Sequence, residues 1–166
     1  MARPLMYSDD LLTTILKSVR TIAMVGASPK WVRPSNFAMK YLQGKGYRVI
    51  PVNPGQAGSK ILGETVYGSL GDIADTFDMV DIFRNSEAAG PIVDEAIDLA
   101  QIKGISVIWM QLGVINEEAC KRAEAAGLMV IMDRCPKIEY ARLFSELGWA
   151  GINTGIISSK RPKLRA

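Results

Sequence analysis

Five short, mostly apolar runs recur along this chain: Thr21–Val25, Tyr47–Val52, Met79–Phe83, Ile105–Trp109 and Leu128–Met132. Each is too short for an ordinary helix and is bounded by turn-forming residues, the signature of a strand buried on both faces. Between them lie segments with apolar residues at helical spacing. Ser8 followed by Asp9 and Asp10 marks a helix start, a cap with acids in the first turn, and this helix runs to about Ser18. Ser35 caps a second helix with Phe37, Ala38, Tyr41 and Leu42 on one face, ending near Gly44 and Gly46. Ser86 opens a third, which reaches about Ile102, and Asn116–Ala126 forms a fourth. Pro136 sits as the first residue of a fifth, to about Leu147. After Asn53-Pro54-Gly55 the chain is loop-like, with a short strand at Thr65–Tyr67 and a helical turn at Ser69–Ala74.

Strands that alternate with helices predict an α/β fold, with a mainly parallel sheet of about five strands covered by helices on both faces. Right-handed crossovers leave few topologies, and the doubly wound, Rossmann-like one fits the length. The 166 residues suit one domain over 1–150, with 1–7 as a lead-in and a basic tail over 151–166 that carries Lys160, Arg161, Lys163 and Arg165. The tail reads as a solvated end. With 48% apolar and 22% charged residues the chain is globular in class. No apolar run approaches the ~20 residues that span a bilayer, and the N-terminus has no secretory apolar region. Cys120 and Cys135 make no disulfide framework, which fits a reducing compartment and a cytoplasmic location. The net charge of +3 suits a small polyanion, whereas a nucleic-acid partner would want a larger basic face with interleaved aromatics. No histidine is present, so phosphohistidine chemistry is excluded and the commonest general base is absent.

In a doubly wound fold ligands bind beyond the carboxyl ends of the strands, so the residues after each run carry the candidate chemistry. Gly26-Ala27-Ser28, a short loop and then a helix is a geometry that cradles phosphate on backbone N–H groups. Lys30 and Arg33 add full charges, and Arg33 can grip a phosphate through two parallel hydrogen bonds. Phe83 and Arg84 could flank an adenine or a phosphate, or be a core ring and a surface cation. Gln111 offers a donor and an acceptor, and Gly113 allows close approach to the backbone. Cys135, between Arg134 and a helix start near Lys137, is the candidate nucleophile, since such surroundings favour a thiolate. Two dinucleotide-binding signals are missing. After Gly26 the next glycine is Gly44, and the second strand ends in Val52-Asn53-Pro54, where a ribose-binding acid would stand. No phosphate-binding Gly-Lys-Ser/Thr sequence follows the first strand, and no Ser sits on a Gly-x-Ser-x-Gly elbow.

The ordered set Val25-Gly26-Ala27-Ser28, Arg33-Pro34-Ser35, Gly46–Pro54, Leu62-Gly63-Glu64, Val80–Arg84, Val107–Gly113 and Met132–Cys135 resembles the stand-alone CoA-binding domain proteins. These are similar in turn to the nucleotide-binding domain of the succinyl-CoA synthetase α subunit. The resemblance covers about residues 10 to 145. It implies coenzyme A or acyl-CoA as ligand, with Gly26, Ala27 and Ser28 on the pyrophosphate and Arg33 and Val52-Asn53-Pro54 near the ADP part. It further implies Phe83 and Arg84 along the adenine and pantetheine path, with Gln111 and Gly113 on its far side. Tyr140 departs from the pattern, because many relatives carry histidine there. Ligase chemistry does not carry over, since this chain has no histidine. The expectation is a non-catalytic binding module. The alternatives are an enzyme or enzyme subunit handling acyl-CoA or thiol chemistry, and an atypical NAD(P)-binding protein.

Overall fold

The computed structural model describes residues 5–144. Among the described residues there are seven strands: β1 (Thr21–Val25), β2 (Arg48–Val52), β3 (Lys60–Ile61), β4 (Glu64–Thr65), β5 (Met79–Ile82), β6 (Val107–Met110) and β7 (Met129–Ile131). The helices are α1 (Asp9–Ser18), α2 (Pro34–Gly44), α3 (Ser86–Lys103), α4 (Glu117–Ala125) and α5 (Pro136–Leu143). Five strands form one parallel sheet in the order β2-β1-β5-β6-β7. The chain steps outward from β1 to β2, then returns past β1 to lay down β5, so the order reverses between β1 and β5. That reversal opens a crevice at the carboxyl ends of these two strands.

Alternation along each strand divides the core into two layers. Ile22, Met24, Met79, Val107 and Trp109 face one side, where they pack with Leu12, Ile15 and Leu16 of α1, Met39 and Leu42 of α2, and Tyr140 of α5. Ala23, Val25, Val80, Ile82, Ile108 and Met110 face the other, against Ala89, Val93 and Ala96 of α3 and Ala119 and Ala123 of α4. One polar residue interrupts the first layer. Asp81 lies opposite Met24 on β1 and Trp109 on β6, is wholly buried, and has no hydrogen-bond partner among the described residues on either carboxyl oxygen. Burial pushes its carboxyl well above the usual carboxylate range.

The local signals held where the chemistry is local. Ser8 caps α1 by accepting from the Leu11 N–H, and Asn116 caps α4 through Ala119. At α2 the expected cap gives way: Arg33 occupies the cap position, Pro34 starts the helix, and Ser35 lies one residue inside. The Ser35 hydroxyl accepts instead from the Ser28 N–H at 3.1 Å, tying the helix to the preceding loop. Phe37 is exposed, while Met39 takes the expected place in the core. The loop-like stretch after β2 contains a hairpin, β3–β4, closed by Leu62 and Gly63 with φ of 48° and 84°. Two successive positive φ values are the mark of a tight two-residue hairpin turn. Tyr67 then pairs with Val52 and covers the outer edge of β2. The expected end of α5 near Leu147 and the basic tail over 151–166 lie outside the described residues. No helix among the described residues is long and apolar enough to cross a membrane.

Candidate binding groove

The loop from Gly26 to Arg33 is held in shape by hydrogen bonds within the protein. Gly26 has φ +89° and donates its N–H to the Val52 carbonyl at 2.9 Å. A Cβ at this position would lie 2.5 Å from the Phe83 carbonyl oxygen, so only glycine lets β1 turn this close to the end of β5. Asn53 then braces the turn from the side. Its amide donates to the Ala27 carbonyl at 2.8 Å and its side-chain oxygen accepts from the Gly55 N–H at 2.9 Å. Asn36 reaches back from α2 to the Ser28 carbonyl at 2.9 Å. Asn53→Ala removes two of these hydrogen bonds, and we expect a loss of about 1–2 kcal/mol in urea unfolding, with the native fold retained. An unchanged unfolding midpoint would show that the brace carries no load.

Around this loop lies a cavity of about 430 Å3 lined by Gly26, Ser28, Lys30, Arg33, Pro34, Ser35 and Phe83. Its wall is chemically one-sided. The Ser35 hydroxyl already accepts from Ser28, so its hydrogen is available to donate outward. Lys30 and Arg33 are exposed and make no ion pair among the described residues. The amino end of α2 adds its partial positive charge. Such a wall suits a phosphate-bearing group.

A second cavity of about 350 Å3 adjoins the first and is lined by Pro34, Phe83, Arg84, Gln111, Leu112 and Val114. Pro34 and Phe83 belong to both linings, so the two lobes form one groove across the carboxyl ends of β1, β5 and β6. The second lobe is mostly apolar, with Arg84 at its wall and the Gln111 amide as its neutral polar group. Gln111 is largely buried, and its side-chain oxygen has no partner among the described residues.

Of the residues expected at the site, Gly26, Ser28, Arg33, Phe83, Arg84 and Gln111 line the groove directly. Ala27 and Val52 are buried beneath it, and Asn53 and Pro54 belong to the turn that supports it. Gly113 has φ +80° and gives its N–H to the Asp133 carboxylate at 2.7 Å, while its neighbours Leu112 and Val114 do the lining. Cys135 is buried at the cap position of α5 and lines neither lobe. Tyr140 is a packing residue, stacked on Phe144 and edge-on to Tyr41 and Tyr47. Sequence reasoning missed the lining roles of Pro34, Ser35, Leu112 and Val114. Ser35 was legible only as a cap, because the loop that redirects its hydroxyl is a tertiary feature.

Three comparisons with known proteins agree with this geometry. The family model described as a CoA binding domain matches residues 20–141. The uncharacterized protein YneT of Bacillus subtilis (strain 168) is 36% identical over 127 residues, which cover 76% of this chain and 90% of the relative. A solved hypothetical protein from Pyrococcus horikoshii OT3 is 39% identical, with a TM-score of 0.77, over 87% of this chain and 98% of its own. A solved protein from Thermus thermophilus is 33% identical, with a TM-score of 0.74, over 83% of this chain and all of its own. A parallel sheet of this order, a glycine-sharpened first turn and a family match over residues 20–141 place the chain in the CoA binding domain family.

Proposed function

We propose that this protein binds coenzyme A or an acyl-CoA in the groove between β1, β5 and β6, and holds it without turning it over. The observation that carries this reading is the two-lobed groove: one end presents cations and hydroxyls, the other a mostly apolar wall with the Gln111 amide and the Arg84 guanidinium. Coenzyme A has the same division, with charged phosphates at one end and a neutral, amide-bearing thiol arm at the other. Val52-Asn53-Pro54 brings no carboxylate near the first lobe, which suits a ribose whose 3′-oxygen is already phosphorylated. The lining residues offer donors, cations and apolar surface, the equipment of a binding site. Cys135 is buried outside both linings, which disfavours thiol chemistry in the groove. A nicotinamide dinucleotide rests on the fold alone, and fold alone is a weak guide to function.

Calorimetry with coenzyme A should give saturable heat at one site per chain, and native mass spectrometry of freshly purified protein should show a co-purified ligand. No binding at millimolar ligand ends the proposal. Arg33→Ala should weaken binding by about tenfold or more, the scale of a lost charge-assisted hydrogen bond. The 3′-dephospho compound should bind more weakly than coenzyme A, and the difference should shrink as salt is added. Equal affinity for the two compounds would remove the electrostatic part of the argument.

A further inference from the structure

The cationic end of the groove is framed by a turn with an unusual tip. The Arg33 N–H donates to the Lys30 carbonyl at 3.0 Å, closing a four-residue turn over Lys30, Trp31, Val32 and Arg33. Both feet of this turn, Lys30 and Arg33, line the first lobe. Its tip carries two apolar side chains into solvent: Trp31 is 75% exposed and Val32 57%. Among the described residues the Trp31 indole makes no ring, cation or hydrogen-bond contact. Indoles bury large apolar area and are highly buried on average, so one held in water at the rim of an anion-binding cavity lacks a structural reason. Trp109 shows the contrast, being wholly buried with its N–H donated to the Arg134 carbonyl.

We propose that Trp31 is the platform on which the purine base of the bound nucleotide stacks, with Lys30 and Arg33 holding the phosphates on either side. This rests on the reading of the groove as a coenzyme A site and assigns the base to its rim, outside the apolar lobe. A flat π-surface bracketed by two cations is the arrangement that binds a base without reading its edges. The phosphates fix the nucleotide at the feet of the turn, and the base then covers the exposed indole. The apolar second lobe is left for the neutral arm. The preference at this position is for a base, with little discrimination between purines, since stacking is tolerant of base identity.

The test measures affinity for three probes, coenzyme A, adenosine 3′,5′-bisphosphate and 4′-phosphopantetheine, in the intact chain and in Trp31→Ala, Trp31→Leu and Trp31→Phe. Trp31→Ala should weaken the two base-bearing probes by about tenfold, the scale of one lost stacking contact, and leave 4′-phosphopantetheine unchanged. Trp31→Phe should keep most of the affinity, and Trp31→Leu should behave like alanine. Coenzyme A should also quench indole emission in the wild-type protein and fail to do so in Trp31→Phe. The exposed position of Trp31 leaves folding untouched, which circular dichroism verifies. Equal losses for all three probes, wild-type affinity in Trp31→Ala, or full affinity in Trp31→Leu each overturn the stacking role. If the wild-type chain binds coenzyme A and Trp31→Ala is neutral, only this inference fails. If it binds none of the probes, the coenzyme A reading fails and takes this one with it.

Discussion

Gly26→Ala will cost about 3 kcal/mol or more of stability and abolish binding in the groove, the largest effect expected of any single methyl group in this protein. Two independent terms act at once. The backbone at Gly26 has φ +89°, where a side chain is strained whatever the space around it. The added Cβ would also sit 2.5 Å from the Phe83 oxygen and 2.9 Å from the Phe83 carbonyl carbon, and both are backbone atoms that cannot rotate away. Relief requires β1 and β5 to separate at their carboxyl ends, where Val25 pairs with Ile82 and the Phe83 N–H donates to the Val25 carbonyl. The groove is defined by that separation, so stability and binding fall together. Urea unfolding followed by circular dichroism measures the first and calorimetry with coenzyme A the second. An alanine variant with the wild-type unfolding midpoint would show that the crossing is looser than these distances state.

Asp81→Asn will make the protein more stable above neutral pH and flatten the pH dependence of its unfolding. The Asp81 carboxyl is enclosed between Met24 and Trp109 with both oxygens unpartnered among the described residues, and desolvation raises its pKa well above normal. The sign follows from proton counting. Below the ordinary aspartate pKa, both folded and unfolded chains carry the proton. As pH rises above it the unfolded chain releases the proton while the folded chain keeps it, so the folded state binds more protons and stability falls. The slope in that window reaches at most about 1.4 kcal/mol per pH unit, and it ends where the native carboxyl finally ionises. Asparagine is nearly the same shape and carries no proton to lose. The difference between melting temperatures at pH 5 and pH 8 should therefore shrink in the variant, with the gain on the alkaline side. If the variant keeps the wild-type pH profile, Asp81 is already ionised in the folded protein at pH 5, and some unseen partner stabilises it.

The strand positions were readable from the sequence because burial on both faces leaves so little choice of residue. All five expected runs lie in the parallel sheet, with end shifts such as Ile105–Trp109 against the observed Val107–Met110. The ends drift where a neighbouring element claims the residue: the Ile105 N–H belongs to the end of α3, bonded to the Ala100 carbonyl. The strand order was a matter of topological rules, since no local pattern states which strand neighbours which. The α2 face was half right. Phe37, Ala38, Tyr41 and Leu42 lie along one stripe, but Met39 and not Phe37 faces the sheet, and periodicity alone does not say which flank of a stripe turns inward. The same limit applies at the groove. Glycine and arginine announce themselves in a sequence, whereas the redirected hydroxyl of Ser35 and the Gly113 N–H committed to Asp133 depend on residues distant in the chain.

The braces around the first turn have an effect on whatever binds there. Asn53, Asn36 and Ser35 fasten the loop from three sides with groups supplied by the turn after β2 and by α2, so its shape is held by the protein's own hydrogen bonds. The entropy lost on complex formation then falls chiefly on the flexible guest, whose many single bonds must freeze along a groove whose first turn is already fastened. Stiffer analogues of the thiol arm should accordingly gain affinity here, and the free and occupied proteins should superimpose closely over this loop.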